Sequence, residues 1–152
     1  MAKRVMITGA TGLLGRAVST KFSEENWDVT GLANSRAVSP IIKLNLLDSK
    51  TLNETISQIK PHIIVHCAAE RRPDVVENNY EDCCKLNVGA TQVITQAAKA
   101  NDSTVIFIST DYVFNGKNAP YKACDDVDPL NKYGMSKVEG EKAVLEIDPG
   151  IT

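Results

Sequence analysis

The sequence predicts an α/β fold, a Rossmann-like doubly wound parallel sheet, on three observations. Strand-like and helix-like segments alternate along the chain. Two of the strands, His62–Cys67 and Thr104–Ser109, are short continuous apolar runs, as expected of strands covered on both faces. The first strand runs into Thr8-Gly9-Ala10-Thr11-Gly12-Leu13-Leu14-Gly15, a glycine loop that opens an amphipathic helix. A β-α-β-α alternation with buried strands places helices on the faces of a parallel sheet. At 152 residues the chain reads as one domain, 1–152, large enough to bury a core.

The elements follow in order. Arg4-Val5-Met6-Ile7 is the first strand. Leu14, Val18 and Phe22, with Leu13 and Ala17 beside them, form one apolar face of the first helix. Asp28–Leu32, introduced by Trp27, is the second strand, and a short third lies near Ile41–Leu44. Asp48 or Ser49 caps the next helix, which ends before Pro61. After the strand at His62–Cys67 comes a long helix with Leu86, Ala90, Val93, Ile94 and Ala97 on one face. Thr104–Ser109 is the fifth strand. A loop from Asp111 to Asn131, carrying Gly116, Pro120 and Pro129, leads to a last helix from Tyr133 to near Leu145. Pro149-Gly150-Ile151-Thr152 stands where the next strand of a six-stranded dinucleotide fold would begin. The expected fold is therefore truncated before its last strand or strands and before a substrate domain: a fragment, or a short form whose sheet edge needs covering.

Bulk properties narrow the function classes. Apolar residues at 43% and charged residues at 24% describe an ordinary soluble domain. A net charge of −2 argues against nucleic acid as a partner. Met1-Ala2-Lys3-Arg4 leads directly into a strand without a signal-peptide core, and no apolar run has the length of a membrane span. The 4 cysteines, Cys67, Cys83, Cys84 and Cys124, lack Cys-x-x-Cys spacing, so neither a disulfide framework nor a metal site is expected. One of the adjacent pair Cys83 and Cys84 faces the core. His66 reads as a core histidine, and the expected compartment is the reducing cytoplasm.

The glycine loop predicts a dinucleotide-phosphate site. Gly9 permits the tight turn off the strand, Gly12 lets backbone N–H groups approach a pyrophosphate, and Gly15 lets helix and strand pack closely. The helix N-terminus aims unpaired N–H groups and partial positive charge at the phosphates. An NAD-binding version carries an acid at the end of the second strand to hold the ribose 2′-hydroxyl. Here that stretch is Gly31-Leu32-Ala33-Asn34-Ser35-Arg36, with no acid. Arg36 offers a guanidinium to a 2′-phosphate, Ser35 and Asn34 offer hydrogen bonds, and Arg16 adds to the positive field, which favours NADP. Asn45-Leu46-Leu47-Asp48 is placed to line the adenine, with Asp48 also able to cap the following helix. Cys67 ends the fourth strand, where it packs against the dinucleotide. Of Arg71 and Arg72, Arg71 is the candidate for a phosphate.

Tyr133-Gly134-Met135-Ser136-Lys137 sets a tyrosine and a lysine at i, i+4 on one helix face. An ammonium beside a phenol favours the phenolate and lowers a pKa of about 10 toward neutrality. The tyrosine could then exchange a proton with a carbonyl oxygen while nicotinamide exchanges hydride. Lys137 could also hold the nicotinamide ribose, and Thr110 or Ser109 could hydrogen-bond the substrate oxygen. The catalytic candidates, should the chain be an active reductase, are Thr110, Tyr133 and Lys137.

Together these residues resemble the extended short-chain dehydrogenase/reductase family, whose dinucleotide-binding half fits nearly the whole chain. Ser109-Thr110-Asp111-Tyr112-Val113-Phe114-Asn115-Gly116 resembles its dTDP-4-dehydrorhamnose reductase branch. A narrower resemblance is to the regulatory beta subunits of methionine adenosyltransferase. It rests on Thr8–Arg16, Asn45–Asp48, Gly140–Glu146 and, most specifically, the run from His66 to Asn78 with Glu70-Arg71-Arg72-Pro73. That resemblance implies a protein that binds NADP and joins the catalytic alpha subunit in a hetero-oligomer, tuning synthesis of S-adenosylmethionine from methionine and ATP. It implies NADP contacts on Thr11 to Leu14, Asn34, Ser35, Arg36, Asn45, Leu46, Cys67, Arg71 and Tyr133. The family usually carries two arginines where this chain has Ser35-Arg36, which implies a weaker hold on the 2′-phosphate. The alternative function is an NADPH-dependent oxidoreductase of the dTDP-4-dehydrorhamnose reductase type.

Overall fold

A computed structural model describes residues 2–148. Five parallel strands form one sheet in the order β3-β2-β1-β4-β5. They are β1 (Arg4–Thr8), β2 (Asp28–Ala33), β3 (Ile42–Lys43), β4 (Ile63–His66) and β5 (Thr104–Phe107). The third strand is shorter than the sequence suggests. Its segment follows Pro40 and adds only two rungs, Leu32 opposite Ile42 and Ala33 opposite Lys43. The chain leaves β1 toward β2 on one side and reaches β4 on the other. The strand order therefore reverses between β1 and β4, and a crevice opens outside their carboxyl ends.

The sheet is buried on both sides by different means. On one face Met6, Leu32, Ile64 and Val105 meet Leu52 and Ile56 of α2 (Ser49–Ile59) and Ile94, Ala97 and Ala98 of the helix Thr91–Ala100. On the other face Val5, Ile7 and Val65 pack with Val18 and Phe22 of α1 (Leu13–Glu24), and with Trp27 and Val29. Phe22 meets Trp27 edge-on, with centroids 5.1 Å apart. Of the two capping residues expected for α2, Asp48 is the one used. Asp48 accepts from the Thr51 N–H at 3.1 Å and from its hydroxyl at 2.6 Å, and Lys60 ends α2 in the left-handed region before Pro61. Asn131 caps the last helix, α6 (Lys132–Ile147), by accepting from the Gly134 N–H at 2.7 Å.

Two expectations need correction. The apolar face of α1 is not continuous into the core. Ala17 is exposed, Leu13 is 82% exposed and Leu14 45%, because the first turn of α1 stands above the crevice and not over the sheet. Only the later turns, through Val18 and Phe22, reach the core. The single long helix before β5 is instead α3 (Pro73–Asn78), α4 (Tyr80–Cys84), a π-helical turn (Lys85–Ala90) and α5 (Thr91–Ala100). Its apolar face survives the breaks. Ala90, Ile94 and Ala97 are buried, and Leu86 and Val93 pack against them. Cys83 is buried and Cys84 half-buried, both as free thiols. The strand start expected at Pro149–Thr152 lies outside the described residues. Among the described residues no helix is long and apolar enough to cross a membrane.

Candidate functional site

The glycine loop is a backbone cradle that side chains would fill. Gly9 takes φ +67°, and a Cβ there would stand 2.9 Å from the Ala68 nitrogen at the end of β4. A Cβ on Gly15 would fall 2.2 Å from the Gly9 carbonyl oxygen, so α1 is seated directly on the loop. The Gly12 N–H closes the turn onto the Gly9 carbonyl at 2.8 Å. Gly12 caps α1 without any side-chain hydrogen bond. The first N–H groups of the helix thus face the crevice without a protein partner, which is the donor set a pyrophosphate requires.

A buried network holds the two walls of this cradle together. The Thr8 hydroxyl lies 2.6 Å from His66 Nδ1, and the Ala68 N–H donates to the same Thr8 oxygen at 3.2 Å. His66 Nε2 lies 3.0 Å from Thr91 Oγ1, whose own proton goes to the Asn87 carbonyl at 2.9 Å. Thr91 can therefore only accept from the ring, so Nε2 carries the proton and Nδ1 accepts from Thr8. The imidazole is neutral. Burial, reinforced by the Lys137 charge, pushes its pKa down to about 3.

The crevice is a cleft of ≈ 770 Å³. Gly9, Thr11, Gly12, Leu13, Leu14 and Gly15 line it from the loop and first turn, with Arg16 beyond. Asn34 and Arg36 line it after β2, Asn45 and Leu46 after β3, and Cys67 and Arg71 after β4. Tyr133 and Lys137 close the far wall from α6. Of the sequence candidates, Ser35 is exposed in the same loop as Arg36 but outside the wall, and Thr110 also lies outside it. Asp48 serves as a helix cap and is not part of the wall, whereas Leu47 is. The exposed Leu13 and Leu14 become intelligible here as an apolar rim to the cleft. Arg72 is tied to Glu70 by bonds of 2.9 and 2.6 Å, and this pairing holds the Glu70 carboxyl below its ordinary range. Of this adjacent pair, Arg71 is the one that lines the cleft.

At the α6 end the chemistry differs from the sequence expectation. The Tyr133 phenol is pushed up by burial, and the neighbouring Thr110 hydroxyl and Arg71 charge only partly oppose this. Lys137 does not act as its partner. The ammonium lies 3.9 Å above the Phe107 ring centroid, and burial lowers its pKa to about 8 against the opposing pull of Glu141 and Cys67. The Cys67 thiol is itself raised by burial, more than the Lys137 charge lowers it, and stays protonated at neutral pH. Thr110 accepts from the Tyr112 N–H at 3.3 Å and donates to Asp111 at 3.2 Å, so it anchors the short 3₁₀ turn Asp111–Val113.

Three residues with a part in this site were not foreseen. Asn87, 1% exposed in the π-helical turn, accepts from the Glu70 N–H at 2.8 Å and donates to the Glu70 carbonyl at 2.9 Å and to Ser136 at 3.0 Å. Ser136 in turn donates to the Tyr133 carbonyl at 2.8 Å. Asn87 and Ser136 thereby fix the Cys67–Arg72 wall against the tyrosine helix. Glu141 accepts the hydroxyl proton of Ser109. The available signal was an asparagine interrupting the apolar stripe between Leu86 and Ala90. Among the described residues no group of three or more His, Cys, Asp or Glu side chains is placed to hold a metal ion.

With this geometry in view, the likeness to known proteins is specific. The profile of the RmlD substrate binding domain matches residues 3–152. Methionine adenosyltransferase 2 subunit beta of Bos taurus is 51% identical over 148 residues, which are 97% of this chain and 44% of that protein. A hypothetical dTDP-4-dehydrorhamnose reductase from Sulfolobus tokodaii superposes with a TM-score of 0.88 at 38% identity, over 92% of this chain and 51% of that one. The dTDP-4-dehydrorhamnose reductase of Bacillus anthracis str. Ames, solved in complex with NADP, gives 0.85 at 30% identity, over 97% and 50%. The chain spans about half the length of the relatives it matches.

Proposed function

Because this chain belongs to the RmlD substrate binding domain family, we propose that it is an NADP-binding regulatory subunit of methionine adenosyltransferase, acting in the cytoplasm on the catalytic alpha subunit that makes S-adenosylmethionine. The observation that carries this reading is the 51% identity to a beta subunit across 97% of the chain, against 30–38% to the reductases of the same fold. The cleft supports the cofactor. The uncapped first turn from Gly12 would hold the pyrophosphate, and Arg36, with Asn34 and Ser35 nearby, the 2′-phosphate. Asn45 and Leu46 would flank the adenine, Cys67 and Arg71 the middle of the dinucleotide, and Tyr133 and Lys137 the nicotinamide ribose. In this role the dinucleotide orders the glycine loop and the wall around it, and stabilises whichever surface the catalytic subunit meets.

The test is a pull-down of the chain with the catalytic alpha subunit, with and without NADP, followed by synthetase kinetics on the recovered complex. Co-recovery with altered kinetics is the expected outcome. No recovery from a folded, NADP-bound chain overturns the regulatory reading for this half.

One observation favours a second reading. Tyr133 and Lys137 share the cleft wall, with the Thr110 hydroxyl close to the phenol. This is the residue set of an NADPH-dependent reductase, in which the nicotinamide would supply hydride and Tyr133 a proton at the carbonyl oxygen. NADPH oxidation with dTDP-4-dehydrorhamnose that disappears in Tyr133→Phe would establish it.

A further inference from the structure

Glu141 has no part in the function proposed above, yet it is built into the cleft from behind. It sits one turn beyond Lys137 on α6, half-buried, and takes a hydrogen bond from Ser109, whose residue lines the cleft while Glu141 itself does not. The register of α6 against β5 is tight at this point. A Cβ on Gly140 would stand 2.7 Å from the Phe107 ring, and the Lys137 ammonium lies over that same ring. Phe107, Ser109, Lys137 and Glu141 are therefore held as one packed group.

The direction of the Ser109 bond has a chemical consequence. A hydroxyl has one proton and two lone pairs. With the proton committed to Glu141, Ser109 offers the cleft an acceptor only. The charge around Lys137 is equally constrained. At the end of β4 the imidazole of His66 is neutral and the following Cys67 thiol protonated, so on its own helix Glu141 supplies the negative charge. The buried ammonium is stabilised by the ring beneath it and by the Glu141 charge one turn away.

We propose that Glu141 is a positioning residue of the cleft: its carboxylate takes the Ser109 proton, turns the Ser109 lone pairs toward a ligand hydroxyl, and balances the Lys137 ammonium one turn away. Resting on the dinucleotide reading, that hydroxyl is one of the nicotinamide ribose, held between the Ser109 acceptor and the Lys137 donor.

The test compares the 152-residue chain with Glu141→Gln and Glu141→Asp, after thermal melts show each folded. Without nucleotide, the Lys137 titration is read from the pH dependence of its reductive methylation by peptide mass spectrometry. The unsubstituted chain is expected to titrate at about 8. Glu141→Gln, which preserves shape and an acceptor for Ser109, moves the midpoint down by roughly one unit, and Glu141→Asp restores most of it. NADPH binding, followed by nucleotide fluorescence, is lost at a pH that tracks the Lys137 midpoint, so the Gln variant binds roughly fivefold more weakly near the original midpoint. A folded Glu141→Gln chain with an unmoved Lys137 titration overturns the proposal. A shifted titration in chains that bind no NADPH supports the placement of Glu141 and overturns the dinucleotide reading instead.

Discussion

On the proposed dinucleotide reading, Arg36 is the residue on which cofactor choice turns. It stands on the exposed loop after β2, lines the cleft beside Asn34, and has no acid near it in sequence. A guanidinium there rewards a 2′-phosphate and gives nothing to a bare 2′-hydroxyl. Arg36→Ala is expected to weaken NADPH binding by roughly ten- to a hundredfold, the worth of a charge-assisted hydrogen bond, while leaving NADH nearly unchanged. Paired titrations of the two nucleotides check it, and equal losses would remove Arg36 from the 2′ site. His66 makes a second prediction of the opposite kind, about stability and not binding. Its folded pKa lies at about 3 against 6.5 in an unfolded chain. Between those values the unfolded state binds the proton and the folded state does not, so stability falls as pH drops through this window. The slope approaches ~1.4 kcal/mol per pH unit. Urea midpoints are expected to fall from neutral pH toward pH 5 in the unsubstituted chain, and to fall less steeply in His66→Gln. That His66 is a core residue was readable from its place in an apolar run. Its protonation state was not, because that depends on Thr8 and Thr91 from two other elements.

Elements whose identity is set by their own residues were legible, and those set by distant partners were not. β1 and β4 announce themselves as apolar runs because both faces are covered, whereas β5 is as apolar in sequence but leaves the face carrying Ile106 exposed, against the expectation of a strand buried on both sides; α2 and α6 carry caps that satisfy their own first-turn N–H groups. The stretch from Pro73 to Ala100 has the period of one helix, and its apolar face is real. Its breaks arise where Asn87 is drawn into bonds with Glu70 and Ser136, which the period cannot reveal. The π-helical turn inserts a residue at the point where the asparagine must reach both the post-β4 wall and α6, a common use of such bulges. Asn87→Ala would leave the Glu70 N–H, the Glu70 carbonyl and the Ser136 oxygen short of partners in a buried setting. The expected cost is about 2–3 kcal/mol in urea unfolding. NADPH binding should weaken as well, since Arg71 and Tyr133 lose their common tether. A stability loss without any effect on binding would show that the turn serves the core alone. At this scale the phenol was also misjudged. The i, i+4 spacing puts Tyr133 and Lys137 on one helix face, but Phe107 beneath the lysine captures the ammonium.

For the whole molecule, the decisive feature is asymmetry between the two margins of the sheet. On the β3 side the margin is only two residues long, a length that offers little to a pairing strand. On the other side β5 pairs with β4 alone among the described residues, and Ile106, in the middle of that strand, is 42% exposed. A parallel sheet normally has both faces of such a strand covered. The 152-residue chain is expected to self-associate through that margin as its concentration rises, since a strand edge unpaired among the described residues and carrying an exposed apolar residue is a template for pairing. Ile106→Lys places a charge on the exposed face and should lower association by several-fold in sedimentation velocity. Ile106 is not part of the cleft wall, so NADPH binding should be unaffected. If the lysine variant associates as the unsubstituted chain does, the β5 margin is not the sticky surface. If it loses association together with capture by the catalytic alpha subunit, the same margin serves both contacts, and the dinucleotide cleft and the docking surface lie on different parts of one sheet.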